Sequence, residues 1–181
     1  MPFLDYGLAW RKYQTGRMHE NVQRLKKYDQ FHCLLAGNKD HAAMVRHRAA
    51  YLPADFLNWL EVCDGGMLFD TTLLSTQSRD AALDMPLTTY GALLDAELRK
   101  DRRLSDDWFV FAMAIHSDVF FFDQKKRDGK VYQWDVEELK IHATWATFED
   151  WLTDQIQGAV GLIADGTLEP LGIKLEASRH E

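Results

Sequence analysis

The clearest hydrophobic pattern in the chain runs through Leu52–Gly66, written Leu-Pro-Ala-Asp-Phe-Leu-Asn-Trp-Leu-Glu-Val-Cys-Asp-Gly-Gly. Phe56, Trp59, Leu60 and Cys63 recur at helical spacing and make one apolar stripe, with Leu52 just ahead of it. Pro53 suits the first helical position, because its fixed φ fits the helix and its missing N–H is not needed there. Asp55 puts a carboxylate in the first turn, at the positive end of the helix dipole. Gly65 and Gly66 predict the stop, since glycine accepts the left-handed conformation common at helix C-termini.

Apolar spacing predicts further helices over Arg17–Leu35, with Met18, Val22, Leu25, Tyr28 (or Asp29) and Cys33 near one face, and from Asn38 or Asp40 through Ala50. Met67-Leu68-Phe69 and Thr72-Leu73-Leu74 are short β-prone runs. Ser75–Asp84 reads as a loop, Tyr90–Arg102 as a helix carrying Leu93, Leu94 and Leu98, and Asp101–Asp107 as a charged connector. Trp108–Ile115 is the strongest strand, with Phe109, Phe111, Met113 and Ile115 on one side and Val110, Ala112 and Ala114 on the other. Apolar residues on both faces predict an interior position in a sheet. His116-Ser117-Asp118 makes a turn, Val119–Asp123 returns, Lys125–Gly129 turns again and Val131–Asp135 follows, so three strands form an antiparallel meander. Thr147 caps a helix with Asp150 in the reciprocal position. Phe148, Trp151, Leu152, Ile156, Ala159, Val160 and Ile163 give that helix a broad apolar face. Thr167–Leu175 reads as a short edge strand and Glu176–Glu181 as loose. No repeat or linker divides the chain, so the expectation is one α+β domain over residues 1–181, with a mostly antiparallel sheet covered by helices.

Composition narrows the class. With 46% hydrophobic, 27% charged and 12% aromatic residues in 181, the chain has the makings of an ordinary core and not those of a disordered one. Its two cysteines, Cys33 and Cys63, lie in apolar patterns and read as free thiols in a reducing compartment. No basic-then-apolar leader opens the chain, and its most apolar run, Trp108–Phe122, is interrupted and too short for a membrane helix. The expectation is a cytoplasmic protein. The net charge of −7 is unevenly spread: nine basic and four acidic residues through Arg48 give +5, and twelve basic and twenty-four acidic residues beyond it give −12. Such a body repels nucleic acid and favours a basic partner.

Candidate chemistry is sparse. His116, Ser117 and Asp118 are the residue types of a catalytic triad, but neighbours on a tight turn cannot face one another in triad geometry. His41 and His47 share no helix face well, and neither Cys-x-x-Cys nor His-Glu-x-x-His occurs, so no metal site is expected. Glu137-Glu138 is a carboxylate pair of the kind that ordinarily faces solvent or starts a helix. Gly158-Ala-Val-Gly161 lies inside a helical pattern and is too short to cradle phosphate. Trp134 and Trp151 read as core aromatics. Neither a catalytic residue nor a cofactor is expected.

Three blocks, in order, resemble the SUKH superfamily, which includes fungal cell-wall-assembly regulators and bacterial toxin-immunity proteins. They are Leu52–Gly66, the meander Phe109–Asp135 with Val131-Tyr132-Gln133-Trp134-Asp135, and Thr147-Phe148-Glu149-Asp150-Trp151-Leu152, within a resemblance spanning roughly Arg17–Ile163. Asp64 stands where the family more often has Asn, and His116-Ser117 precedes Asp118 where a glycine-rich turn is common. The resemblance implies a non-enzymatic protein-binding module, such as an immunity protein neutralising a cognate toxin. A regulatory or scaffold protein with an endogenous partner is the alternative, and a hydrolase the third reading. Charge and position single out Asp118, Asp123, Asp135, Glu137 and Glu138 as candidate contacts for a basic protein partner.

Overall fold

Strand-forming residues recur through the chain in short runs, and each run pairs with its neighbour in sequence. The computed structural model describes residues 15–25, 31–33, 39–74, 100, 102–114 and 118–166. The strands are β1 (Phe31–Cys33), β2 (Gly66–Leu68), β3 (Thr71–Leu73), β4 (Trp108–Ala114), β5 (Val119–Asp123), β6 (Val131–Asp135) and β7 (Lys140–Trp145). They form one seven-stranded sheet in the order β1 to β7, antiparallel throughout. Among the described residues four helices accompany it: α1 (Gly16–Leu25), α2 (Lys39–Arg48), α3 (Ala54–Leu60) and α4 (Phe148–Ala164). The architecture is α+β, with α1 and α3 against α4 and α2 against α3.

Helix α3 carries the stripe expected of it, and Phe56, Trp59 and Leu60 are buried. Phe56 meets four rings at once: Phe109 at 6.2 Å, Phe111 at 5.3 Å, Phe122 at 5.0 Å and Phe148 at 5.2 Å between centroids. Phe109 and Phe111 belong to β4, Phe122 to β5 and Phe148 to α4, so one side chain joins two strands and two helices. Trp151 extends the cluster to Phe111 and Phe120. Its indole N–H has no hydrogen-bond partner among the described residues, and packing volume is what tryptophan supplies there. The opposite face of the central strands holds a second set, in which Trp108 stacks on Phe121 at 4.1 Å and Phe121 on Tyr132 at 5.4 Å. Trp134 completes it by donating its indole N–H to the Arg102 carbonyl.

Strand β4 is interior, between β3 and β5, as its two apolar faces predict. Its alternation is broken by a bulge: Val110 pairs with Phe121, but Ala112 pairs with Phe120 and Met113 with Val119. The extra residue, Phe111, stays on the helix-covered face with Phe109, while Met113 moves to the face of Val110, contrary to strict alternation. The predicted helix Arg17–Leu35 is likewise corrected. Helix α1 ends at Leu25, and Phe31–Cys33 pairs antiparallel with Gly66–Leu68. Cross-strand pairing there overrides a weak helical spacing, which a short apolar run cannot distinguish from a strand. At α3, Pro53 serves as N-cap with φ −68° and ψ 148°, one residue earlier than expected, and the helix closes at Leu60. The glycines do not stop the helix as expected: Glu61 is its C-cap in right-handed backbone, Gly65 takes φ 80° five residues beyond Leu60, and Gly66 already begins β2. The predicted loop Ser75–Asp84, the bulk of the helix Tyr90–Arg102 and the edge strand Thr167–Leu175 lie outside the described residues.

Carboxylates fasten the helix ends. Asp55 accepts from the Phe56 amide at 3.0 Å through Oδ1 and from the Glu149 amide of α4 at 3.1 Å through Oδ2, so it sits at the positive ends of two helices together. Thr147 caps α4 by accepting from the Asp150 amide at 3.0 Å, and the Thr147 hydroxyl donates to Asp150 Oδ2 at 2.8 Å. Arg17 of α1 pairs with Asp150 and with Glu149. The Thr147 hydrogen bond, opposed by partial burial and aided by Arg17, holds the Asp150 carboxyl below its ordinary range.

Two predictions follow from this packing. Phe56→Ala should lower stability by about 3–5 kcal/mol through the cavity left among four rings, whereas Leu162→Ala, at a position 41% exposed, should lie within about 0.5 kcal/mol of the parent, both read from urea midpoints. A carboxyl depressed on folding stabilises above its unfolded pKa, and that stabilisation is lost as pH falls through the folded value. The stability difference between the parent and Arg17→Ala should therefore be full near neutrality and shrink as pH falls below 3.8, measured by denaturation at each pH.

Candidate interaction surface

The antiparallel register decides which of the five candidate acids can act together. Val119 pairs with Trp134, so Asp118, before β5, and Asp135, at the end of β6, lie at the same sheet margin. Glu137 and Glu138 follow on the β6–β7 turn at that margin. Asp123 pairs with Trp108 at the opposite margin, beside the basic turn Lys125–Arg127. The structure thus gathers four of the candidates and separates the fifth.

Three of the acids are engaged within the fold. Asp118 accepts from Gln133 Nε2 at 2.8 Å and from the Val136 amide at 3.4 Å, tying the start of β5 to the end of β6. Asp123 Oδ1 accepts from the Lys125 and Lys126 amides, each at 3.0 Å. Asp135 Oδ1 does the same for Glu137 at 2.9 Å and Glu138 at 2.8 Å. The two turns share one construction: the amide four residues beyond the Asp donates back to the Asp carbonyl, from Arg127 to Asp123 and from Leu139 to Asp135. Arg127 and Leu139 both take positive φ, 51° and 55°. An aspartate that holds two amides of its own turn is the economical way to close such a loop without glycine at the strained position.

Glu137 and Glu138 are exposed, and Glu138 pairs with Lys140. They are the acids of this margin whose side chains extend from a turn built by another residue. Next to them β7 is the terminal strand in the sheet order, with Ile141 41% exposed. Sequence patterning missed β7 although Lys-Ile-His-Ala-Thr-Trp alternates polar and apolar residues; the run is short, and none of its apolar side chains is fully buried. It also passed over His142, which lies with Asp135 and Glu138 so that one ligand-type atom from each falls within 4.8 Å of the others. The signal available was a histidine seven residues after Asp135, across a hairpin that had not been foreseen.

At the opposite margin the Tyr132 hydroxyl donates to Asp128 Oδ2 at 2.6 Å, and Lys126 Nζ stands 4.3 Å from the centre of the Tyr132 ring. Burial, then the hydrogen bond to Asp128, raises the Tyr132 hydroxyl well above its ordinary value. Gln124 makes a reciprocal pair with the Tyr51 backbone, accepting from its N–H at 2.9 Å and donating to its carbonyl at 2.7 Å. These contacts anchor the segment ahead of α3 to the β5–β6 turn. They are structural joints and assemble no nucleophile with a base.

Residues 50–154 match the SMI1 / KNR4 family (SUKH-1). The chain belongs to this family. The matched span takes in α3, the strands β2–β7 and the first turns of α4, which are the elements that carry the Phe56 cluster. The SUKH family includes immunity proteins and cell-wall regulators. Comparison with curated proteins and with solved structures gives no match. Among the described residues, no helix is long and apolar enough to cross a membrane.

The division of labour among the acids is directly testable. Asp118→Ala should destabilise the chain by about 1–3 kcal/mol, because the Val136 amide and the Gln133 side chain lose their acceptor in a half-buried setting. Glu137→Ala should stay within about 0.5 kcal/mol of the parent. Equal melting temperatures for the two variants would show that Asp118 carries no structural load.

Proposed function

We propose that this SUKH protein is a non-enzymatic, cytoplasmic binding module that recognises a basic protein partner, in the manner of an immunity protein against its cognate toxin. The observation that carries this reading is the acidic margin at β6–β7, where Glu137 and Glu138 extend from a turn that Asp135 closes on its own. Family membership supports a binding role, and the balance of −12 beyond Arg48 favours a basic partner. An acidic surface steers a basic partner at long range and penalises acidic competitors, nucleic acid included. The turn is suited to contact because its backbone is fixed by Asp135 while the two glutamates remain solvated. The aromatic rings near the sheet margins are spent on packing, so the contact would rest on charge and on the β7 edge beside it.

The test begins with the tagged chain as bait in its native cells, followed by measurement of association rates for the purified pair. Glu137→Lys combined with Glu138→Lys should slow association by roughly tenfold at low salt while leaving the melting temperature nearly unchanged, and the difference should vanish as salt screens the approach. Flat salt dependence and unchanged rates would remove the electrostatic account. Turnover of a substrate by the isolated protein would remove the binding-module reading.

A further inference from the structure

Strands β6 and β7 slip register between Gln133 and Trp134: Trp134 pairs with Ile141, but Gln133 pairs with Ala143. His142 is the extra residue of this bulge, a device that re-aims a side chain. Gln133 and Asp135 share one face of β6, opposite Trp134, and the bulge presents His142 on that same face. Glu138 reaches it from the turn. One donor atom from each of Asp135, Glu138 and His142 lies within 4.8 Å of the other two.

We propose that Asp135, Glu138 and His142 form a surface site for a divalent transition-metal ion such as zinc. Two carboxylates and an imidazole differ from the all-oxygen set that calcium or magnesium takes, and the imidazole favours first-row transition ions. Asp135 is positioned before any ion arrives, because Oδ1 is fixed by the Glu137 and Glu138 amides and Oδ2 remains for coordination. Second-shell hydrogen bonds of this kind orient a ligand and raise its affinity. Metal–ligand bonds of about 2.0–2.2 Å bring donors within about 4.4 Å of one another, a spacing that rotation of the exposed Glu138 and His142 can reach. Lys140 is the resident competitor, since it pairs with Glu138. An exposed pair of this type is a weak rival. Three protein ligands leave at least one coordination position for water or for a side chain of a docked molecule. The site shares Glu138 with the acidic margin, but Glu137 belongs to the partner reading alone and His142 to this one alone, so variants at those two residues separate them.

Zinc titration of the EDTA-stripped, dialysed full chain by calorimetry tests the proposal. The expected result is one ion per chain with a dissociation constant below about 100 μM. His142→Ala and Glu138→Gln should each weaken binding at least about tenfold with unchanged circular dichroism and melting. Lys140→Ala, which releases Glu138, should tighten it, and Glu137→Gln should leave it unchanged. Absence of binding in the parent, undiminished binding in His142→Ala, or equal weakening by Glu137→Gln would each overturn the site. The last of these would reduce the effect to diffuse attraction by surface acids.

Discussion

The fold depends on the contact of one ring, Phe56, with four others. Phe109 and Phe111 come from β4, Phe122 from β5 and Phe148 from α4, so the cluster is where sheet and helices become a single core. Burial of large apolar side chains supplies most of the stabilisation of a domain of this size, and tilted and edge-on ring pairs add to it. The β4 bulge belongs to the same constraint. It keeps Phe111 on the covered face beside Phe109, where it meets Phe56, Phe148 and Trp151, and strict alternation beyond it would not have served both faces. Phe69 obeys a similar logic at the β2–β3 turn, where it is 2% exposed despite a φ of 58°. Left-handed backbone at a bulky residue is costly, and a buried ring is what offsets it.

Around that core the acidic residues act mainly as fasteners. Asp55 links α3 to α4, Asp150 links α4 to α1 through Arg17, Asp118 links β5 to β6, and Asp123 and Asp135 close turns. An acidic composition is therefore not a measure of acidic surface available to a partner. Charge read from the chain overstates it, because a carboxylate holding two amides has spent much of its interaction locally. The glutamates, with longer side chains and no favoured backbone contact of this kind, are where surface charge remains.

The central elements were legible because their signals were redundant. The α3 stripe, the two apolar faces of β4 and the Thr147–Asp150 cap each rested on several residues that agreed, and each is found in place. The misreadings have physical causes. Phe31–Cys33 is three residues long, too short for periodicity to separate strand from helix, and only its pairing with β2 decides the matter. β7 alternates polar and apolar residues, but Ile141, Ala143 and Trp145 are few and none is fully buried, so the trace is faint beside that of β4. The surface was legible in part: Asp123 and Asp135 lie at strand ends as expected, but what the oxygens of these acids hold depends on backbone geometry beyond the reach of spacing. His142 became visible only through a bulge, a feature set by the pairing of two strands and written in neither alone.

The two matching turns at the ends of β6 have a consequence for how the molecule meets a field. Asp123–Lys130 carries four basic and two acidic residues, a balance of +2, and Asp135–Lys140 carries three acidic and one basic, a balance of −2. A five-residue strand separates them by about 17 Å. Because the shared aspartate-closed backbone fixes both loops, these opposite charges sit at the two ends of a stiff rod and form a permanent dipole along β6. A charged body approaching this protein therefore exerts a torque as well as a pull, rotating the β6–β7 end toward positive charge before any surfaces touch.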